Sequence, residues 1–127
     1  MNPSAVEIVK EFFWRMNTND FHSAGQLFGD DYILEWPQTK ERIRGREKFV
    51  AVNEEYPAYG RWVFTLNRIV GNESEAVSDV SITDGTQAAR AITFTSVREG
   101  KIIKQVEYWP DNYEAPENRR HLVELME

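Results

Sequence analysis

Three charged residues on neighbouring extended stretches carry most of the chemistry this sequence offers. Asp79, Arg90 and Glu107 each fall in a run of alternating apolar and polar residues. A carboxyl group beside a guanidinium on an apolar wall can serve as general acid or base, with the arginine holding it or a developing anion. A buried charge is costly unless paired, so an internal ion pair that fixes sheet register is the alternative reading of the same trio.

Other polar residues offer less. Gln105 shares an alternation with Glu107, and Asn53 could point from a helix into the same space. Glu35 stands beside Trp36 and could reach a cavity mouth. Tyr32 and Tyr56 could donate to an oxyanion, although core rings with a wet hydroxyl are the commoner use of tyrosine. His22 and His121 are isolated from one another, so no metal site is expected. Arg42, Arg44 and Arg46 read as a solvated loop. The chain contains no cysteine, no glycine-rich phosphate loop and no nucleophile elbow. No cofactor is expected.

The elements that would position these groups come from periodicity. Ser4 to Glu7 has the form of a capping box, and Ile8, Val9, Phe12, Phe13 and Met16 form one helical stripe behind it. Asn17-Thr18-Asn19 breaks that helix. Asp20 caps a second, through Phe21, Ala24, Leu27 and Phe28, with Gly29 at its end. Residues 31–36 form a short strand stopped by Pro37, and residues 38–44 a polar loop. Gly45 opens a third helix, with Phe49, Val52 or Asn53, and Tyr56 along one side, closed by Pro57.

Four strands follow, at about 62–70, 75–83, 87–98 and 101–109, separated by Gly71-Asn72, Asp84-Gly85 and Glu99-Gly100. With two-residue loops, Asp79 faces Arg90, Ile92 faces Glu107, Phe94 faces Gln105 and Phe64 faces Asp79. One sheet face then holds Trp62, Phe64, Leu66, Val77, Ile92, Phe94, Ile103 and Trp109, together with Asp79, Arg90, Gln105 and Glu107. That is the more apolar face and should lie under the helices. Phe13, Trp36, Asn53, Trp62, Phe64, Phe94, Gln105 and Trp109 are the expected ligand-lining residues. A bulge or an odd loop would swap the faces locally. Helices on one side of an antiparallel sheet give an α+β layout in a single domain, 1–127.

Composition bounds the partners. The net charge of −6 argues against nucleic acid and anionic membrane surfaces. Four Trp, five Tyr and seven Phe exceed what a bare scaffold needs and suit a cavity for a small apolar molecule. The N-terminal residues lack the basic start and apolar run of a secretory signal, and no apolar stretch is long enough to span a bilayer, so a cytoplasmic location is expected.

The segment Phe28-Gly29-Asp30-Asp31-Tyr32-Ile33-Leu34-Glu35-Trp36-Pro37, followed by Ile43-Arg44-Gly45-Arg46-Glu47, resembles the SnoaL-like branch of the NTF2-like superfamily. So do Val97-Arg98-Glu99-Gly100-Lys101-Ile102-Ile103 and Glu107-Tyr108-Trp109-Pro110. The resemblance runs from the first helix to about Glu117. It implies a cone with three N-terminal helices over a curved sheet, a deep pocket between them, and homodimers through the outer sheet face. It also implies a range of activities: polyketide cyclases, ketosteroid isomerases, limonene-epoxide hydrolases, dehydratases and non-catalytic binding proteins. Fold alone does not choose among these. The Asp–Arg–Asp cluster of the epoxide hydrolases is similar in type to Asp79–Arg90–Glu107. The late acid of the cyclases has its nearest analogue in Glu107.

Overall fold

The structure, a computed structural model, describes residues 2–126. Helix α1 (Ala5–Met16) begins on the expected capping box: Glu7 N–H donates to Ser4 Oγ, and Ser4 N–H to the Glu7 carboxylate. Its buried stripe is Ala5, Ile8, Val9, Phe12, Phe13 and Met16. Helix α2 (Phe21–Gly25) is capped by Asp20 and is shorter than its sequence suggests. Leu27 and Phe28 are drawn out of it by the sheet, where the Leu27 carbonyl accepts from Ile102 N–H at 2.9 Å and Phe28 starts strand β1 (Phe28–Trp36).

The segment expected to be a loop forms strand β2 (Glu41–Arg44), paired antiparallel to β1. Helix α3 (Gly45–Glu55) follows, entered through Gly45 at φ +85, a conformation that favours glycine. Arg46 is not a free loop charge. Its guanidinium donates to the Gly25 carbonyl at 2.7 Å and the Phe28 carbonyl at 2.9 Å, tying α3 to the end of α2. The four remaining strands fall close to their expected bounds: β3 (Val63–Gly71), β4 (Glu75–Thr83), β5 (Ala88–Arg98) and β6 (Lys101–Tyr108). A short 3-10 helix, Glu117–Leu122, lies in the C-terminal segment.

The sheet order is β2-β1-β6-β5-β4-β3. Every pairing is antiparallel except β1 with β6, which is parallel, so the sheet is mixed. Helix α1 lies against β3 through β6, and α3 against β1 and β2. Between them sits an aromatic core. Phe28 stacks on Tyr32 with centroids 3.6 Å apart, and Phe49 meets Phe28 edge-on at 4.8 Å.

The registers differ from simple two-residue hairpins. The β4–β5 loop holds four residues, Asp84 to Gln87, and pairs Asp79 with Ile92 and Ser81 with Arg90. In the β5–β6 ladder Arg98 pairs with Lys101, but the register slips between Ser96 and Val97, leaving Ile103 as an extra residue. Beyond that bulge Thr93 faces Glu107 and Thr95 faces Gln105. A second bulge at Asn67 shifts β3 against β4, so that Phe64 faces Ile82 and Leu66 faces Val80. Because side chains alternate, each one-residue slip exchanges the two faces. The helix-facing side therefore carries Ala76, Ser78, Val80 and Ile82 from β4, and Ala91, Thr93, Thr95 and Val97 from β5, all buried. Val77, Asp79, Arg90, Ile92 and Phe94 face the other way.

Candidate functional site

A cavity of about 570 Å³ opens between the helices and the concave face of the sheet. That size fits a small organic molecule. Its apolar walls come from α1 (Phe12, Phe13, Met16), α3 (Phe49, Val52), β1 (Leu34, Trp36) and β3 with its approach (Trp62, Phe64). Trp36 meets Trp109 edge-to-face at 6.4 Å, and Tyr56 meets Trp62 at 5.8 Å.

Two asparagines place the β3 side of this wall. Asn17 donates to the Phe64 carbonyl at 2.8 Å and accepts from Phe64 N–H at 2.7 Å. Asn19 does the same for Trp62, at 2.8 and 2.9 Å. Spaced two apart, the two amides act as a surrogate strand along the free edge of β3 and fix two aromatic side chains in the cavity. Asn19 adopts φ 62, which asparagine tolerates well. The sequence pattern shows this pair only as a helix break. The signal that could have found it is the i, i+2 spacing of two amides opposite an edge strand.

The polar wall comes from β6. Glu107 and Gln105 alternate inward together and both line the cavity. Glu107 Oε1 accepts from Trp36 Nε1 at 3.0 Å, and Oε2 from Thr93 Oγ1 at 2.6 Å. Burial pushes its carboxyl above the usual range, with those two hydrogen bonds acting in the opposite direction. Gln105, almost fully buried, accepts from the Tyr32 hydroxyl at 2.6 Å and donates to Thr95 Oγ1 at 3.2 Å. An amide nitrogen has two hydrogens, so one N–H of Gln105 is free of these partners. Burial, and secondarily the Glu107 charge, hold the Tyr32 phenol well above its ordinary range, so it stays a donor. Tyr32 thus supports Gln105 from behind instead of reaching a ligand itself.

Of the expected lining residues, Phe13, Trp36, Asn53, Trp62, Phe64, Gln105 and Trp109 border the cavity. Phe94 does not: it lies on the outer sheet face, 47% exposed, against Tyr108. Asp79 and Arg90 do pair, through two side-chain contacts including Arg90 Nη2 to Asp79 Oδ2 at 2.6 Å, but on the same outer face. The guanidinium there holds the Asp79 carboxyl below its ordinary value. The three-charge cluster is therefore divided by the sheet. The bulge at Ile103 puts β5 and β6 out of phase, so Arg90 and Glu107 emerge on opposite sides. Glu35 also points outward, to Arg42 at 2.8 Å and Lys104 at 3.4 Å. Among the described residues no cluster of acidic or histidine side chains could hold a metal ion. No helix there is long and apolar enough to cross a membrane.

The geometry has the outline of a known family. The model of the SnoaL-like domain matches residues 9–105, most of the chain. The chain belongs to the SnoaL-like domain family. Among solved structures, this SnoaL-like domain is similar to a protein of Kribbella flavida DSM 17836 provisionally named a ketosteroid isomerase. The two share 31% identity over 96% of this chain and 89% of that one, with a TM-score of 0.87. It is also similar to an NTF-2 like protein of unknown function from Burkholderia xenovorans LB400, at 27% identity over 95% and 94% of the two chains, TM-score 0.76. An LEH-like epoxide hydrolase of M. tuberculosis shares the fold at 20% identity over 84% and 82%, TM-score 0.65. No curated protein matches the sequence.

Proposed function

We propose that this SnoaL-like domain binds a small, largely apolar molecule in its cavity and moves a proton on it through Glu107, as an isomerase or cyclase does. The observation that carries this reading is the Glu107 carboxyl: it lines an aromatic cavity, both oxygens are held by neutral donors, and burial raises its proton affinity above the ordinary carboxylate range. A base works best when its pKa lies near the working pH. In such a reaction the Glu107 carboxylate takes a proton from a carbon next to a carbonyl. The electron pair moves onto the carbonyl oxygen, and the same carboxyl returns the proton at another carbon. Gln105, one turn of the alternation away, offers its remaining N–H to that oxygen. Epoxide hydration loses its support in this chain, because Asp79 and Arg90 are outside the cavity.

A non-catalytic carrier of the same fold is the second reading. It is favoured by the isolation of Glu107, which has no charged partner where three charges were expected. Glu107→Gln separates the two. The variant preserves shape, and its amide can still accept from Trp36 and meet Thr93. Against a panel of enolisable ketones, proton exchange into deuterated water should fall by roughly 10²–10⁴-fold in the variant. Exchange that is absent in the parent, or equal in both proteins while a ligand still binds, would leave the carrier.

We further propose a homodimer through the outer sheet face, supported by the exposed Phe94 and Tyr108 beside the half-buried Val77 and Ile92.

A further inference from the structure

The cavity carries charge of one sign only. Glu41, Glu107 and Asp111 border it, and none of its described lining residues is Lys, Arg or His. Among the described residues none of these three acids forms an ion pair, so no basic side chain neutralises them directly. The net charge of −6 adds to the same field. A low-dielectric cleft lined by one sign concentrates that potential and raises the local concentration of counter-ions.

Acids at a rim are ordinarily just solvated. Here they border an aromatic enclosure. Three of the four tryptophans, Trp36, Trp62 and Trp109, line the cavity, as does Tyr56. The Trp36–Trp109 rings meet at 74° and the Tyr56–Trp62 rings at 66°, so the walls are set at steep angles to each other. Aromatic walls with uncompensated carboxylates attract organic ammonium groups, which combine ring-quadrupole and charge attraction and shed their weak hydration easily. A neutral ligand would gain no net charge attraction from the acids, and a ligand entering as an anion would be repelled.

We propose that the cavity selects an organic cation: a tertiary or quaternary ammonium head near Glu107 and the tryptophans, joined to an apolar body against Phe12, Phe13 and Phe64. At about 570 Å³ the space is larger than an ammonium head alone, which is why the body is part of the ligand. This rests on the reading above that the cavity binds a small molecule, but not on turnover.

Two isosteric probes, the cation (4-hydroxyphenyl)trimethylammonium and the neutral 4-tert-butylphenol, test it by calorimetry at pH 6.5, with 4-tert-butylbenzoate as an anionic comparison of similar size. The cation should bind about ten-fold or more tighter than the neutral phenol, a difference of about 1.4 kcal/mol, and the benzoate should bind weakest. In Glu107→Gln the cation should lose more affinity than 4-tert-butylphenol, so that the preference between the two shrinks. The indole N–H resonances of Trp36, Trp62 and Trp109 should shift on binding, and that of Trp14, exposed on α1, should not. Equal binding of cation and neutral phenol, with the same indole shifts, would overturn the charge preference and leave the cavity reading intact. Failure of all three probes to bind would overturn both.

Discussion

Replacing Asn17 by alanine removes two hydrogen bonds at once from the edge of β3, the donor to the Phe64 carbonyl and the acceptor of Phe64 N–H. Each is worth about 1 kcal/mol net in a folded protein, so the loss should be about 2 kcal/mol. With an unfolding entropy of about 2.1 cal/mol/K per residue, spread over 127 residues, that corresponds to a fall in Tm of about 7 °C. The isosteric variant Asn17→Asp supplies the sharper test. It keeps the acceptor but turns a carboxylate oxygen toward the Phe64 carbonyl, so it should be at least as damaging as alanine at pH 7 and partly recover when protonated. Thermal unfolding followed by circular dichroism gives the first readout. Amide hydrogen exchange gives the second: Phe64 N–H should lose protection in Asn17→Ala, while Trp62 N–H, held by Asn19, should keep it. If Asn17→Asp were as stable as the parent at neutral pH, or if Phe64 exchange did not change, the surrogate-strand interpretation would be wrong.

Glu107→Gln should also alter the pH dependence of stability. The folded-state affinity of Glu107 for its proton is raised by burial, so its contribution is fully present below about pH 4.3, the ordinary glutamate value, and is lost as pH rises through the folded value. The variant should therefore gain on the parent in urea midpoint between pH 4 and pH 8; a constant difference would contradict the buried carboxyl. Asp84 works in the opposite sense. Its carboxylate accepts from the backbone N–H groups of Tyr59, Thr86 and Gln87 at 2.8–2.9 Å and from the Gln87 side chain, which together hold it well below the carboxylate range. Its contribution is present above about pH 3.9 and lost as pH falls below it. Asp84→Asn should be less stable than the parent at pH 7, and the gap should narrow steadily as pH falls from 4 toward 2, measured by chemical denaturation. Phe94→Asp should shift the protein from dimer to monomer in light scattering without changing its circular dichroism; a parent that is already monomeric at tens of micromolar would refute the proposed interface.

Much of the fold is local and was therefore legible. The capping box at Ser4–Glu7, the apolar stripe from Ile8 to Met16, and the strands from β3 to β6 all follow from short-range patterns that the backbone must satisfy. Glu107, Gln105, Trp62, Phe64 and Trp109 were legible as cavity residues because β3 and β6 alternate as written near the site. The end of α2 was not, because a sheet pairing, Ile102 to Leu27, competes for residues whose own spacing suits a helix. Strand β2 was not, because a four-residue segment with three charged side chains around Ile43 becomes a strand only when β1 lies alongside.

The sequence by itself determined which residues alternate and which type of element each segment forms, since periodicity is a property of neighbours along the chain. Only the tertiary structure decided which face each strand turns inward. The extra residues at Asn67 and Ile103 leave the alternation of each strand visible but change its phase against the next. That phase is set by the pairing and packing between strands, which bury Val80, Ile82, Ala91 and Thr93 beneath the helices and leave Phe94 exposed on the outer face. The same choice put Asp79 and Arg90 on the outer face and left Glu107 in the cavity without a basic partner.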